Sequence, residues 1–590
     1  MALVARIRTS ERGAGLRKSI FTGWPVQGRI RAPEGRTISH EPLSALVLAI
    51  LFNALSSPVQ AQDAANAPEI AVIPRPALIT PRPGRFVITG RTVVWSDASG
   101  AGTARQFARD LEPATGLALA VRTGGAAPRA NAIVLRRDPS LARLGPEGYV
   151  LDVRGDGVTA RAPAAAGLFY AVQTIRQLLP PEVFRKAPID GGTTAWTMPA
   201  VHVEDTPRFR WRGAMLDVSR HFMPKDFVER YIDLLALHKL NTFHWHLTDD
   251  QGWRIEIKKY PRLTAVGSRR DMTLLGRQAR DTTRWAYDSI PHAGFYTQDD
   301  VREVVAYAAA RHVTVVPEIE MPGHAVAAVA AYPALGLPGA PARPAGRWGV
   351  FPDILNAEPA TVSFMRDVLD EVLALFPSPY VHVGGDEADK TKWRADPGIQ
   401  ARIRQLGLKD EHELQSWFIG QMDAYLTRRG RRLVGWDEIL EGGLAPGATV
   451  MSWRGIQGGI AAARAGHDVV MSPTSHVYLD YRQSRDPREE PFQVGRLLPL
   501  DTVYAYEPVP PELTPDQARR VLGTQANLWT EYVPSPRDVE YRAYPRLSAL
   551  AEVAWTPKAS KDFANFRARL GPHLRRLDAL GVNYYRPLAP

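Results

Sequence analysis

The segment VHVGGDEADK, residues 381–390, leads an apolar run into two glycines and two adjacent carboxylates. Val381 and Val383 alternate with His382, which is typical of a β-strand. Gly-Gly continues a strand poorly, and the adjacent acids Asp386 and Glu387 repel each other. The segment therefore predicts a short strand with a doubly negative pair just beyond its carboxyl end.

The same pattern, a short apolar strand that ends in polar or aromatic residues, recurs along the chain from residue 213. We predict eight such strands: Ala214–Val218, Thr242–Leu247, Val313–Pro317, Tyr380–Val383, Leu433–Trp436, Thr449–Trp453, Asp468–Met471 and Val521–Gln525. Amphipathic helices are predicted between several of them: Lys225–His238, Asp299–Arg311, Thr361–Phe376 and Glu411–Arg429. Thr297 and Asp300 have the spacing of a capping box at the start of the second helix.

Eight strand–helix units predict an α/β fold, a (β/α)8 TIM barrel with insertions. A doubly wound open sheet is the alternative, but no Gly-rich phosphate turn follows the first strand. In a barrel, catalytic residues lie at the carboxyl ends of the strands. Carboxylates do cluster there, and three different strands end in a tryptophan: Trp436, Trp453 and Trp529. Aromatic rings and acids in one mouth indicate a sugar-binding site.

A smaller mixed α/β domain is predicted before the barrel. Its strand-like runs are 85–94, 117–122, 132–136 and the hairpin 148–160, and a helix is predicted over 164–179. We place this domain at residues 76–207 and the catalytic barrel, with a carboxy-terminal helical segment, at 208–590.

The first 61 residues resemble a signal peptide with a long basic leader. Residues 42–52 are apolar, and the small residues up to Ala61 form a cleavage pattern. The apolar core is short for a membrane span, and residues 62–75 are predicted as a linker. We expect an exported protein, periplasmic or secreted, without a stable membrane span if the leader is cleaved. An uncleaved amino-terminal tether is the alternative.

The charge of the chain does not indicate a nucleic-acid partner. Its formal net charge is +11, but residues 1–41 contain seven Arg and one Lys against three Glu, or +5, which leaves +6 for the rest. No basic helix or aromatic platform suggests nucleic acid. The absence of cysteine excludes disulfides, thiol catalysis and Cys-based metal sites.

Eight motifs in the same order along the chain resemble those of family 20 glycoside hydrolases, the β-N-acetylhexosaminidases. They are RGAMLDVSRHF (212–222), HWHLTDDQGWRIEI (244–257), PEIEMPGH (317–324), HVGGDE (382–387), GWDEI (435–439), MSWRG (451–455), YLDYR (478–482) and QANLWTE (525–531). The resemblance covers residues 70–590. Its visible departure is Glu320, where many relatives have Asp, a change that keeps the charge.

This resemblance implies substrate-assisted catalysis. Most retaining glycosidases use two carboxylates about 5 Å apart, one of which attacks the sugar. Adjacent residues, whose Cα atoms lie about 3.8 Å apart, are badly placed for that task. In the family the substrate's 2-acetamido oxygen is the nucleophile. By resemblance, Glu387 protonates the leaving oxygen and later activates water, Asp386 orients the acetamido group, and Tyr478 donates a hydrogen bond to its carbonyl.

The remaining residues carried over from the family bind the substrate. Ring hydroxyls would be held by Arg220, Asp480 and Glu531, and the sugar ring and acetamido methyl by Trp436, Trp453 and Trp529. Asp249 and His324 would lie beside the catalytic pair, with a hydrogen bond between His324 and Glu320. We further expect burial and an ionised Asp386 to raise the pKa of Glu387, so that it is protonated at working pH.

Metal-based interpretations are weaker than the sugar-site one. His244 and His246 share a face of one strand, as zinc ligands do, but no third ligand stands out at a useful spacing. Asp249 and Asp250 could also form a metal pair, although a sugar-site network explains them better. Trp245, inside a strand, is interpreted as core. We therefore expect no metal and no cofactor.

The sequence predicts an exo-acting, retaining β-N-acetylhexosaminidase that removes terminal non-reducing β-linked N-acetylglucosamine, from chito-oligosaccharides or glycoconjugates. N-acetylgalactosamine stays open as a second substrate. The alternatives are a related specificity on the same fold, such as release of a disaccharide or cleavage of a β-1,6-linked glucosamine polymer, and a sugar-binding protein without catalysis. A non-catalytic relative should lack the acid or the tyrosine, and this chain has both.

Overall fold

The computed structural model describes residues 70–188, 194–279 and 281–586. The predicted signal peptide and most of the predicted linker lie outside these residues. Among the described residues, no helix is both long and apolar enough to cross a membrane.

The predicted barrel fold is confirmed. Eight parallel strands close on themselves in chain order. They are β1 (Trp211–Asp217), β2 (Thr242–His246), β3 (Thr314–Glu318), β4 (Tyr380–His382), β5 (Arg432–Trp436), β6 (Thr449–Ser452), β7 (Val469–Met471) and β8 (Val521–Ala526). Each differs from its predicted range by at most three residues at either end, because the turn residues beyond a strand continue its apolar alternation.

Helices cover the outside of the barrel. The five that follow β1, β2, β3, β4 and β6 are α1 (Lys225–Leu237), α2 (Gln298–Ala309), α3 (Pro359–Leu375), α4 (Glu411–Arg428) and α5 (Gln457–Arg464). After β8 come Pro536–Ala543, Arg546–Trp555 and Phe563–Ala579. The predicted capping box is confirmed, since Thr297 Oγ1 accepts from the Asp300 amide at 3.1 Å and the Asp300 carboxylate accepts from the Thr297 amide at 3.0 Å.

Shorter elements lie in the connections. The insertion between β2 and α2 contains three small antiparallel pairs: Thr248–Asp249 with Gly252–Trp253, Arg269–Arg270 with His292–Ala293, and Leu274–Leu275 with Ala286–Tyr287. The short α-helices are Arg262–Ala265, Val326–Ala331, Thr391–Ala395, Pro397–Gln405, Thr474–Val477, Leu500–Ala505 and Pro515–Ala518.

The barrel interior has an apolar part and a polar part. The apolar cluster is formed by Trp211, Val316, Val434, Trp436, Met451, Val470 and Leu522. Glu318, at the carboxyl end of β3, lies between His246 of β2 and His382 of β4 in the strand register, and all three are fully buried. Trp245 points outward into the helical layer, where its ring contacts those of Tyr296 and Phe376, so its interpretation as core is confirmed.

The residues before the barrel form a seven-stranded mixed sheet. In sheet order its strands are Leu78–Val87, Thr197–Asp205, Tyr149–Arg154, Gly157–Ala162, Ala132–Arg137, Val93–Ser96 and Ala120–Thr123. Helices Ala101–Thr115 and Ala165–Leu178 accompany the sheet. The single strand predicted over 85–94 is wrong, because a turn closed by hydrogen bonds between Thr89 and Thr92 separates two strands.

The last part of the predicted linker is packed rather than extended. Val72 and Ile73 are buried, and the Ile73 amide donates to Gln177 Oε1 at 2.9 Å. Arg569 and Arg576, on the last long helix, donate to the carbonyls of residues 72 and 71 at 2.7 and 2.6 Å. Buried apolar side chains and hydrogen-bonded carbonyls hold this stretch against the rest of the protein. The Ala- and Pro-rich sequence around it had suggested a linker.

Candidate active site

The two glycines after β4 turn the chain so that both following acids face the barrel mouth. Gly384 and Gly385 have φ of +67° and +90°, and Glu387 has φ of +45°. These left-handed conformations replace the alternation of a strand, which would send neighbouring side chains to opposite faces. The backbone at these residues therefore accounts for two adjacent acids that line one cavity.

Gly384 also has no room for a side chain. A Cβ atom there would lie 1.7 Å from Glu320 Oε2, and Glu320 is buried. We expect Gly384→Ala to lower the free energy of unfolding by ~3 kcal/mol, since strain at positive φ and overpacking add. Gly430→Ala is the matched control, because Gly430 has φ of +70° with open space around it, and it should cost only ~1 kcal/mol. Urea denaturation of both variants measures the difference; equal losses would show that the contact with Glu320 is unimportant.

Asp386 and Glu387 differ in their exposure to solvent. Asp386 is 7% exposed, whereas the Glu387 side chain is 40% exposed. Between them lies His324, whose Nε2 atom is 3.6 Å from an oxygen of each carboxylate. One imidazole therefore faces both members of the predicted catalytic pair.

His324 is held from behind by Asp250 rather than by Glu320. Its Nδ1 atom donates to Asp250 Oδ2 at 3.0 Å and lies 3.3 Å from Asp249 Oδ1. The predicted hydrogen bond from His324 to Glu320 is wrong, since neither carboxylate oxygen of Glu320 has a hydrogen-bond partner among the described residues. Spacing of four residues suggested that pair, but the chain between them forms a turn and not a helix.

The prediction of a raised pKa for Glu387 is also wrong for the protein without substrate. The His324 imidazole, 3.6 Å away, lowers the pKa of Glu387, while burial raises the pKa of Asp386 well above its usual range. Carboxylates around His324, above all Asp249, raise the pKa of this imidazole despite its burial. Relative burial is not visible in the amino-acid sequence, and burial is the largest cause of the raised pKa of Asp386.

Aromatic rings form one wall of the site. Trp453 stacks with Tyr478 at a centroid distance of 6.2 Å, and Trp436 packs against Trp529 at 5.8 Å. Trp453 Nε1 donates to Glu438 Oε2 at 2.8 Å, which fixes its ring. Burial raises the pKa of Tyr478 well above its usual range, so its hydroxyl stays a neutral donor.

Arg220 and two acids form the polar part of the lining, next to Trp529. Arg220 Nη2 pairs with Asp249 Oδ2 at 2.7 Å, its guanidinium lies over the Trp529 ring, and its Nη1 atom has no hydrogen-bond partner among the described residues. Burial and then Glu531 raise the pKa of Asp480 to about 8, and burial raises that of Glu531. Arg220 Nη1 also lies 3.5 Å from Asp217 Oδ2. Together these groups line the cavity with charge-assisted donors and acceptors, as hydroxyl recognition requires.

These walls enclose a cavity of about 200 Å³. Ten of the eleven predicted site residues line it: Arg220, His324, Asp386, Glu387, Trp436, Trp453, Tyr478, Asp480, Trp529 and Glu531. The eleventh, Asp249, lies behind the cavity, where it joins Arg220 to His246. The roles assigned to these residues stay predictions.

The cavity also includes residues that the sequence analysis did not select: Tyr481, Gln493, Val494, Tyr532 and Val533. Gln493 and Val494 belong to the long connection 481–505. Only the length of this connection indicated in the sequence that it could contribute to the site. Asp250 and Glu438 were missed as partners of His324 and Trp453, although both follow a predicted strand directly.

The fold brings further possible metal ligands close to His244 and His246, although the sequence showed none at a useful spacing. His244, Glu318 and His382 bring one donor atom each within 4.8 Å of the others, as do His246, Asp249 and Glu320. In the first group His382 Nδ1 lies 2.7 Å from Glu318 Oε1 and accepts from the Gly384 amide at 3.1 Å. The expectation of no metal stays a prediction.

Comparison with known proteins gives matches over both parts of the described chain. Residues 209–558 match the model of the catalytic domain of glycosyl hydrolase family 20, and residues 69–206 match the model of domain 2 of that family. A β-hexosaminidase of Porphyromonas gingivalis is 48% identical over 88% of this chain. The chain spans 65% of the length of that relative.

Solved structures give the same picture. The family 20 β-N-acetylhexosaminidase of Streptomyces coelicolor superposes with a TM-score of 0.75 at 35% identity, over 89% of this chain and 99% of its own. An exo-β-N-acetylglucosaminidase of Vibrio harveyi, solved with N-acetylglucosamine, has a TM-score of 0.76 at 33% identity, over 88% of this chain and 79% of its own.

Proposed function

This chain belongs to glycosyl hydrolase family 20, and we propose that it is an exo-acting, retaining β-N-acetylhexosaminidase that hydrolyses terminal β-linked N-acetylglucosamine. The observation that carries the proposal is the adjacent pair Asp386 and Glu387 in one cavity with Tyr478 and three tryptophans. An attacking carboxylate would have to approach the anomeric carbon from the side opposite the acid, and adjacent residues that both face His324 do not suit that geometry.

The size of the cavity supports exo action. Sites for drug-sized ligands typically enclose 300–1,000 Å³. A cavity of about 200 Å³ fits a single pyranose with its acetamido group rather than a run of sugars. Arg220, Asp480 and Glu531 would hold the ring hydroxyls at its closed end, which leaves the linkage to be cut near the exposed Glu387.

The residues support a two-step reaction. The acetamido oxygen of the substrate attacks C1 while the C1–O bond to the leaving group breaks, and Glu387 gives its proton to that leaving oxygen. Asp386 accepts from the acetamido N–H and stabilises the positive oxazolinium ion, and Tyr478 donates to the acetamido oxygen. Water then attacks C1, its proton returns to Glu387, and the acetamido group re-forms with overall retention.

Binding of the sugar explains how Glu387 obtains its proton. Without substrate, burial raises the pKa of Asp386 well above its usual range, and His324 lowers the pKa of Glu387. A bound sugar covers Glu387, which raises its pKa, and its acetamido N–H stabilises Asp386 as a carboxylate, which lowers the pKa of that group. Both changes transfer the proton toward Glu387, the position that protonation of the leaving group requires.

A thiazoline analogue of the oxazolinium intermediate tests the proposed nucleophile. We expect competitive inhibition with a Ki at least ~100-fold below KM, because intermediate analogues bind far more tightly than substrates. The first-formed product, followed by NMR, should be the β-anomer. Absence of inhibition together with an α-anomeric product would contradict substrate assistance.

The range of substrates is part of the proposal and is open to a direct comparison. We propose that the enzyme acts on chito-oligosaccharides or glycoconjugates and takes N-acetylgalactosamine as a second sugar. Parallel assays with chitobiose, a β-1,6-linked oligomer and a galacto-configured aryl glycoside rank these possibilities. Preference for the β-1,6 oligomer would favour the related specificity considered above.

We also propose that the protein is exported. The support is the predicted signal-peptide pattern that ends at Ala61. Amino-terminal sequencing of the protein recovered from a periplasmic or culture fraction should begin at residue 62. A longer amino terminus in a membrane fraction would instead favour the tether.

A further inference from the structure

A second buried cluster lies directly beneath the catalytic cavity. Glu318 of β3 lies among three histidines: it accepts a hydrogen bond from His246 Nδ1, with His244 Nε2 at 3.1 Å from the same oxygen and His382 Nδ1 at 2.7 Å from the other. All four side chains are fully buried. The mechanism derived above uses none of them.

His246 connects this cluster to the cavity. While its Nδ1 atom faces Glu318, its Nε2 atom lies 3.0 Å from Asp249 Oδ2. An imidazole with one proton can donate only once, so bonds from both nitrogens to carboxylates require the imidazolium form. Burial alone would lower the pKa of His246, but Glu318 and Asp249 together raise it to about 10.

His244, on the same strand, differs from His246 in its charge. It lies two residues away and shares the Glu318 oxygen at 3.1 Å, but its Nδ1 atom accepts from Gln525 Nε2 at 2.9 Å. Burial, the largest effect, lowers the pKa of His244 to about 4, so this imidazole is neutral. On this strand a charged and a neutral histidine therefore lie beside the same Glu318 oxygen, and they differ in the second partner, Asp249 for His246 and Gln525 for His244.

From His246 a series of contacts reaches the catalytic acids. Asp249 Oδ2 accepts from both His246 and Arg220, and Asp249 Oδ1 lies 3.3 Å from His324 Nδ1. His324 Nε2 is 3.6 Å from both acids, Asp386 and Glu387. Charges alternate along this path, from Glu318 through His246 and Asp249 to His324.

We propose that His246, anchored by Glu318, is a positioning residue that holds Asp249 and, through Asp249 and His324, orients the Asp386–Glu387 pair and supplies part of its positive field. This inference rests on the proposed function, because its readout is hydrolysis. The groups facing His246 are Glu318, Asp249, Glu320, His244 and, more distantly, Asp217, with the Trp529 ring at 5.0 Å. Those facing Glu387 are His324, Asp386, Arg220 and Asp249.

Two substitutions of His246 distinguish its positioning of Asp249 from the effect of its positive charge. In His246→Asn the amide takes the place of Nδ1, so the bond to Glu318 is kept and that to Asp249 is lost; we expect kcat to fall ~10- to 100-fold. In His246→Gln the amide takes the place of Nε2 and donates to Asp249, so most of kcat should return. Both variants lack the cation, and loss of a positive charge raises the pKa of nearby acids. The alkaline limb of the kcat/KM profile should therefore move up by about 0.5–1 pH unit in both.

His244→Asn is the matched control. It disturbs the same carboxylate at equal burial and should lower the unfolding temperature about as much, yet leave kcat within about twofold and the alkaline limb in place. Equal loss of kcat in His244→Asn and His246→Asn, or a wild-type profile in both His246 variants, would overturn the proposal. Failure of the proposed function is distinguishable, since the wild-type protein would then not hydrolyse the aryl β-N-acetylglucosaminide used in these assays.

Discussion

Replacement of Glu387 by Gln is expected to lower kcat/KM for chitobiose about 10³-fold. A positioned general acid contributes typically 10²–10⁴-fold, and a sugar leaving group cannot depart as an alkoxide without a proton. Gln has nearly the same shape, so substrate binding and the contact with His324 should survive. The measurement is the initial rate of N-acetylglucosamine release by purified wild-type and variant proteins over a range of pH.

The leaving group provides an internal control for this prediction. A nitrophenolate departs without protonation, so the loss of Glu387→Gln in the first step should be at least about tenfold smaller on the nitrophenyl glycoside than on chitobiose. Asp389→Asn, two residues along and outside the cavity, should retain activity within about twofold. Near-wild-type hydrolysis of chitobiose by Glu387→Gln would exclude Glu387 as the acid.

Replacement of Asp386 by Asn is expected to lower kcat about 10²–10³-fold with a smaller change in KM. The carboxylate is needed where positive charge develops, on the acetamido nitrogen, and the loss of one such preorganised group typically costs that factor. Asp386 is buried beside His324, and the amide has nearly the same shape, so it should fit the same space.

Inhibitor binding separates this role from a general loss of structure. Asp386→Asn should bind the thiazoline intermediate analogue at least about tenfold more weakly than wild type, with an unfolding temperature close to wild type. An unchanged inhibitor constant and unchanged kcat would show that Asp386 does not act on the acetamido group.

Much of the fold followed from two features of the sequence. The strands β1 to β8 are short apolar runs that end in polar or aromatic residues, a pattern that is typical of a parallel barrel. A turn at Gly384 and Gly385 was also predictable, because glycine adopts positive φ values more readily than other residues. The sheet before the barrel was predicted less well, since Gly90 was the one strong turn residue in the segment that separates its first two strands.

The predictions about the site were wrong where they depended on how deeply a side chain is buried. Asp386 and Glu387 are neighbours in sequence, and only the structure shows that one is buried and the other 40% exposed, which reverses the expected order of their pKa values. The partner of His324 was misassigned because Asp250 is 74 residues away along the chain. The link from Glu318 through His246 to Asp249 depends on three neighbouring segments of the fold, and no linear spacing records it.

The central claim is that the substrate's own acetamido oxygen attacks the anomeric carbon. The most direct measurement compares kcat/KM of the wild-type protein for aryl β-glycosides that carry N-acetyl, N-fluoroacetyl, N-difluoroacetyl and N-trifluoroacetyl groups. Fluorine withdraws electrons from the amide oxygen, so kcat/KM should fall with each added fluorine, by at least about tenfold over the series. A rate that stays within about twofold across all four substrates would contradict the claim and indicate that a protein group is the nucleophile.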